Sequence, residues 1–235
     1  MNFRPESSLE SAWEFMEELG DYQARVFAGG EWRQARWRDF RTFDFGPGFG
    51  ARTCAPLDFP EMAPLPQRYG LREAGCYAAG LNWFTDYVLF PLGMLLAKVK
   101  RGLGARALSR WLFWGLNTFS RPPYGTVMRL DARGEKDGQP LSVSVVLRHP
   151  DAYELTAIPV VACVRQYLDG SIARPGLWLM GEVVEPARLF RDMERMGVGV
   201  ETTVAAVAPK DIRPVKGAVP DGVRGEVSSW NHSAS

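Results

Sequence analysis

The chain has 235 residues, of which 46% are hydrophobic and 23% are charged, and its formal net charge is +1. This length and composition are typical of a globular protein with a buried core, and they exclude a low-complexity or fibrous chain. The nearly balanced charge argues against polyanion binding by the chain as a whole.

The cysteines and the N-terminus indicate the cellular environment. Cys54, Cys76 and Cys163 lie far apart and form no C-x-x-C pair. This spacing predicts neither a disulfide framework nor a zinc site, and it favours a reducing compartment. The first residues, MNFRP, lack the apolar run of a secretory signal. We therefore expect a cytoplasmic protein.

The N-terminal third predicts one helix, a hairpin and a loop. Residues 7–10 read SSLE, a capping box, and an apolar stripe at helical spacing follows until Gly20: Leu9, Ala12, Trp13, Met16 and Leu19. Two alternating segments, 23–28 and 31–37, flank Gly29-Gly30 and predict a β-hairpin. Residues 40–45 predict another strand. Four prolines between 54 and 69 predict an extended loop there.

The middle of the chain predicts apolar helices and then a second hairpin. Residues 78–119 are mostly apolar, and we expect helices broken near Pro91 and at 102–104. Strands are expected at 126–131 and 141–149, joined by a polar turn over 133–139 with Asp137-Gly138 at its tip.

The C-terminal part predicts two helices and a closing strand. One helix begins at Thr156, has one face made of Val160, Val161, Val164 and Leu168, and stops at Gly170. The next begins at Pro186 and ends at Gly197, with a buried stripe of Leu189, Phe190, Met193 and Met196. A strand follows at 198–204, and residues 205–235 have the composition of a flexible tail.

This order of elements predicts an α+β fold, with a largely antiparallel mixed sheet covered by helices. We expect one domain over 7–204 with an apolar helical insertion at 78–121. Residues 46–51 match the dinucleotide pattern G-x-G-x-x-A. That motif requires a helix to begin directly after the glycines, and the prolines that follow exclude one. We therefore expect a glycine-rich loop and no nucleotide site.

Catalytic signatures are scarce. The chain has two histidines, and His149 is the one outside the expected tail. No H-E-x-x-H motif, cysteine cluster or G-x-S-x-G elbow occurs, so neither a metal site nor a hydrolytic triad is predicted. We do not expect independent catalysis by this chain.

The segment from 87 to 130 contains no acidic residue. It is rich in basic and aromatic side chains, and the candidates for a membrane or partner surface are Trp83, Lys98, Lys100, Arg101, Arg106, Arg110, Trp111 and Trp114. The apolar run between Asp86 and Lys98 is too short to span a bilayer. The segment therefore either lies in a membrane interface or packs within its own domain or against a second subunit, and we favour the packing alternative. Nucleic acid binding is not expected, because no known binding module is present.

Several motifs together resemble the second domain of saccharopine-dehydrogenase-like oxidoreductases. Residues 149–157 read HPDAYELTA and resemble the family's H-x-D-x-Y-x-L-T-A segment. Residues 166–170 and 174–178, and then 186–190 before Gly197, are similar to passages that follow it. Upstream, residues 27–32 and 45–50 are similar to a hairpin and the loop after it. The resemblance covers about 8–204.

The resemblance implies a substrate and dimerisation domain rather than a complete enzyme. In the family this domain follows a Rossmann domain that binds NAD(P), and the present sequence begins where the second domain would begin. A homodimer is implied, with the nucleotide bound by a domain outside this sequence. His149, Tyr153 and Thr156 are the candidate substrate-binding residues, because they cluster where a strand is expected to pass into a helix. The other hypothesis is a peripheral membrane or lipid-binding protein acting through 83–119.

Overall fold

The computed structural model describes residues 12–14, 16, 24–100 and 102–206. Helices and antiparallel sheets combine in these residues, which confirms the predicted α+β fold. The strands are β1 (Arg25–Ala28), β2 (Glu31–Gln34), β3 (Arg41–Asp44), β4 (Ala51–Leu57), β5 (Glu73–Ala74), β6 (Cys76–Ala79), β7 (Thr126–Lys136), β8 (Gln139–His149) and β9 (Gly199–Ala206). They form three three-stranded antiparallel sheets in the orders β2-β1-β5, β3-β4-β6 and β7-β8-β9.

The helical elements are short at the start of the chain and longer in its middle. The α-helices are α1 (Leu65–Tyr69), α2 (Phe90–Val99), α3 (Ala105–Phe119), α4 (Ala152–Leu168), α5 (Met180–Val183) and α6 (Pro186–Arg195). A π-helix, Thr85–Leu89, leads directly into α2. Of the predicted N-terminal helix, Ala12 and Met16 are helical and buried, whereas Leu9, Leu19 and the capping box lie outside the described residues.

The first predicted hairpin is confirmed. Gly29 and Gly30 connect β1 to β2 with φ angles of 68° and 90°, which a side chain would make unfavourable. The rings of Phe27 and Trp32 face each other across the strands at 5.5 Å. This edge-to-face contact fixes the register of the pair.

The prediction of an extended loop over 54–69 is wrong. Residues 54–57 belong to β4, where Pro56 lies opposite Tyr77 of β6. A 3-10 turn, Pro60–Met62, and α1 follow, each with proline in its first helical positions. Proline lacks an N–H, but the first residues of a helix have no intrahelical partner for theirs. The prolines therefore begin these short helices.

The second hairpin is longer than predicted. β7 and β8 pair over eleven residues each, and the connecting turn is reduced to Asp137 and Gly138 with φ angles of 54° and 75°. Residues 133–136, expected in the turn, continue the ladder. A two-residue Asp-Gly turn has the twist that long antiparallel strands require, so the strands extend up to it.

The third sheet carries the C-terminal core. α4 and α6 pack on one side of β8 and β9, and the cluster contains Leu155, Ile158, Ala162, Met193 and Val198. α4 begins at Ala152, four residues before the predicted start, because the Asp151 carboxylate accepts hydrogen bonds from Tyr153 N and Glu154 N. β9 continues to Ala206, so the first two residues of the expected tail are strand, and 207–235 lie outside the described residues.

A second core holds the helical region together. We call residues 83–119 the helical hairpin. Its two α-helices are separated by glycines 102 and 104 as predicted. Its buried side chains are Leu89, Leu108, Leu112 and Leu116, which pack with Ala12 and Met16. Near Pro91, where a break was predicted, the π-helix changes to the α-helix α2 at Phe90, and the proline lies in the first turn of α2.

Candidate functional site

A polar cap starts the helical hairpin. The Asn82 side-chain oxygen accepts hydrogen bonds from Phe84 N and Thr85 N, and its amide donates to Gly115 O of α3. Asp86 accepts from Leu81 N at 2.9 Å and from the Thr85 hydroxyl at 3.1 Å. Burial raises the pKa of Asp86, and these hydrogen bonds oppose the rise. The cap ties the start of the π-helix to α3.

Aromatic packing fixes the open end of the hairpin. The rings of Trp83, Phe84, Trp114 and Phe119 contact one another, with centroid distances of 4.9 to 6.0 Å. Gly115 permits this arrangement, because a Cβ atom at that position would lie 2.5 Å from Phe84. The two tryptophans still expose half of their surface. The hairpin therefore presents rigid aromatic side chains to solvent.

The outer surface of the helical hairpin is apolar and basic. Its exposed large apolar side chains are Trp83, Tyr87, Val88, Met94, Leu95, Val99, Leu103, Trp111, Phe113 and Trp114. Lys98, Lys100, Arg106 and Arg110 are exposed along the same two helices, whereas Arg101 lies outside the described residues. Arg106 stacks over the Trp13 ring at 5.4 Å. An apolar surface bordered by cations fits an anionic lipid headgroup layer.

The length of these helices limits the orientation in which this surface can contact a bilayer. No helix among the described residues is both long and apolar enough to cross a membrane. Leu95 and Val99 lie four residues apart on α2, and Arg106, Arg110 and Trp114 lie at four-residue spacing on α3. Each set follows a spacing of three to four residues and shares a helix face. Contact with a bilayer would therefore be parallel to its surface.

α4 has a second exposed apolar surface, which we call the α4 face. It consists of Val160, Val161, Val164, Tyr167 and Leu168, all of which are exposed. The buried side of the helix is instead Leu155, Ile158, Ala162 and Gln166. On the helix-covered side of the third sheet, Met128, Leu130 and Val204 are also exposed. The helices therefore cover only part of the apolar side of that sheet.

The three candidate substrate-binding residues lie where β8 passes into α4. His149 is buried at the end of β8, where its Nδ1 lies 2.7 Å from Asp151 O and 3.1 Å from Asp151 N and its Nε2 lies 3.4 Å from a Glu154 carboxylate oxygen. The Thr156 hydroxyl donates to Ala152 O, one turn back along α4. Tyr153 is exposed beside it. These contacts support the start of α4, and substrate binding by the three residues stays a prediction.

The glycine-rich loop has the geometry of a turn between two strands. β3 and β4 are antiparallel neighbours, and Gly50 N donates to Gly46 O at 2.8 Å within the loop. A strand, rather than a helix, begins at Ala51. The free N–H groups and the dipole that hold a pyrophosphate at a helix N-terminus are therefore absent from this loop.

Two features of the surface were missed by sequence reasoning. The apolar face of α4 was predicted, but not that it points to solvent. Arg148 was not singled out, although residues 141–148 alternate between apolar and polar positions near their start, as expected for a strand with two different faces. In the part of the chain that the structure describes, no three His, Cys, Asp or Glu residues lie close enough to hold a metal ion.

Comparison with protein-family models and with curated proteins found no match.

Proposed function

We propose that this chain is the non-nucleotide-binding, dimerisation domain of a saccharopine-dehydrogenase-like NAD(P)-dependent oxidoreductase, inactive on its own. The observation that carries the proposal is the open apolar surface of the third sheet and the α4 face. The helix with the exposed face is the one that contains most of the resembling segment 149–157. The proposal places the chain in the cytoplasm.

The α4 face supports association with another protein surface. Its five large apolar side chains are exposed along one helix, and Arg165 is the charged residue between Val161 and Tyr167. Contiguous apolar patches on soluble proteins mark interaction sites. Because this face carries little charge, the same face of a second copy can pack against it without charge repulsion, as a two-fold symmetric interface requires. A second copy of the chain is therefore the proposed partner.

Light scattering after size-exclusion chromatography tests this association. We expect the wild-type chain to elute as a dimer at micromolar concentration and Val164→Glu to elute as a monomer. Val88→Glu, at an equally exposed valine of the helical hairpin, is the matched control and should remain dimeric. A wild-type chain that is monomeric throughout contradicts the proposal. So does saturable binding of NADPH or NADH by this chain alone.

A second candidate function is peripheral binding to an anionic membrane. The specific observation is the outer surface of the helical hairpin, where exposed aromatic and aliphatic side chains lie beside Lys98, Lys100, Arg106 and Arg110. Tryptophan and basic residues are the side chains that the interface of a bilayer favours. In this function α2 lies in the headgroup layer and the chain remains on one side of the bilayer.

Flotation with liposomes tests the membrane function. We expect the chain to float with vesicles of phosphatidylserine and phosphatidylcholine at low salt, and to float less at high salt because the electrostatic part is screened. Val88→Glu should reduce flotation, and Val164→Glu should not. Failure of the wild-type chain to float at low salt eliminates this function. The same two variants thus serve as reciprocal controls for the two candidates.

A further inference from the structure

One side of the third sheet is apolar, and the other mixes polar side chains with Val127 and Val146. Residues directly opposite in antiparallel strands point to the same side, so Val127 and Arg148 share a side, as do Asp131 and Ser144. We call the side that carries Arg129, Asp131, Ser142, Ser144 and Arg148 the polar face. It lies opposite the side on which α4 and α6 pack. A polar sheet face needs no ligand by itself, but Arg148 on this face lacks the charge partner that a half-buried arginine usually has.

Arg148 is half-buried and has no charge partner. Among the described residues it forms neither an ion pair nor a side-chain hydrogen bond. Its guanidinium lies against Gly46 of the glycine-rich loop, where a Cβ atom would be 2.9 Å from Nη2. Gly46 has a φ angle of 79°, so the loop approaches Arg148 closely because that residue is glycine. The glycine-rich loop therefore packs directly against the unpaired guanidinium of Arg148.

The neighbouring arginine on this face is arranged differently. Arg129 forms an ion pair with Asp131 at 2.9 Å and donates to Asp44 O at 2.7 Å. It holds the base of the glycine-rich loop on the sheet, and its charge is neutralised by Asp131. Glu201 of β9 lies on the same face, opposite Val146, and is exposed without an ion pair to Arg148 in the described structure. The Asp44 carboxylate accepts from Gly46 N at 2.9 Å in the same loop but forms no ion pair with Arg148 in the described structure. The Arg148 guanidinium therefore lies beside the loop without a direct carboxylate contact.

We propose that the polar face beside the glycine-rich loop binds a small anion through the Arg148 guanidinium. The ligand class is a molecule with a carboxylate or phosphate group, because a guanidinium donates two parallel hydrogen bonds to either. Ser144 lies on the same face but four residues before Arg148, so the anion is bound through the guanidinium and not through that hydroxyl. The proposal does not rest on the proposed function, since none of these residues belongs to the α4 face or the helical hairpin.

Calorimetric titration with inorganic phosphate and, separately, with glutarate tests the site. We expect saturable binding of at least one of them, and the stronger of the two identifies the group that the site prefers. Arg148→Gln should weaken that binding about tenfold or more, because a charge-assisted pair is lost. Arg133→Gln is the matched control, since Arg133 is an exposed arginine farther along the same face, and it should bind like the wild type.

A second variant separates the site from a general effect of charge. Gly46→Ala keeps every charge but directs a methyl group at Arg148, and it should weaken binding while circular dichroism shows the sheet intact. Two outcomes overturn the proposal: no saturable binding of either anion by the wild-type chain, or equal losses in Arg148→Gln and Arg133→Gln. The second outcome would show non-specific attraction by the net charge.

Discussion

Replacing one leucine on the helical hairpin gives a quantitative test of membrane contact. Leu95 on α2 is 61% exposed, and Leu130 on β7 is 62% exposed. Leucine to alanine removes three carbon atoms, each worth about 0.8 kcal/mol when transferred from water to an apolar medium. Scaled by the exposed fraction, Leu95→Ala should lose about 1.5 kcal/mol of membrane binding, which is roughly a tenfold weaker partition coefficient. Leu130→Ala, at an equally exposed leucine outside the helical hairpin, should leave the membrane partition coefficient unchanged.

The assay is partitioning onto anionic vesicles, measured by sedimentation at a series of lipid concentrations. Leu95→Ala and Leu130→Ala remove the same atoms from equally accessible positions, so any general effect of lower hydrophobicity is common to both. A tenfold loss in Leu95→Ala with wild-type binding in Leu130→Ala places the hairpin at the membrane. Equal partition coefficients for the two variants would refute the reasoning, because binding would then not depend on which surface carries the leucine.

Three further predictions concern stability. Asp151→Ala removes the cap of α4 and should lower the free energy of unfolding by about 1 kcal/mol in urea titrations. Gln166→Ala removes a fully buried side chain that hydrogen-bonds both Glu185 N and Glu185 O, and it should cost about 2–3 kcal/mol, whereas exposed Gln67→Ala should cost little. The ion pair with Arg33 lowers the pKa of Asp39, so its stabilisation is present at neutral pH and is lost as pH falls below about 4. Asp39→Asn should therefore be less stable than the wild type at pH 7 in urea titrations, and the difference should shrink in acid.

Local patterns were sufficient to predict most elements, because their causes are local. The glycine pair of the first hairpin and Asp137-Gly138 of the second determine turns without reference to the rest of the chain. Prolines were interpreted less successfully. Pro56 lies within β4, and Pro60 begins a short helix. A missing N–H is compatible with loops, strand edges and helix starts alike, and only the neighbouring segments decide among them.

The orientation of α4 could not be predicted from its sequence. One side of the helix carries Val160, Val161 and Val164, and another carries Leu155, Ile158 and Ala162. Both sides are apolar, so helical periodicity does not indicate which one faces the sheet. The structure buries the second side together with Gln166, whose amide binds the start of α6. A buried glutamine is a consequence of tertiary packing that residue type alone argues against. For the same reason, the sequence predicted that the residues of the α4 face share one side of a helix, but it did not predict that this side is exposed to solvent.

The two proposed surfaces can be tested independently because they belong to different cores. The helical hairpin packs around Leu89, Leu108 and Leu112, whereas α4 packs around Ile158, Ala162 and Met193, and the two clusters share no residue. Substitutions without shared partners usually have additive effects. A chain carrying both Val88→Glu and Val164→Glu should therefore lose membrane binding and self-association by the amounts that each single change removes. If Val164→Glu alone also weakens flotation, the two surfaces do not act independently and the additivity argument is wrong.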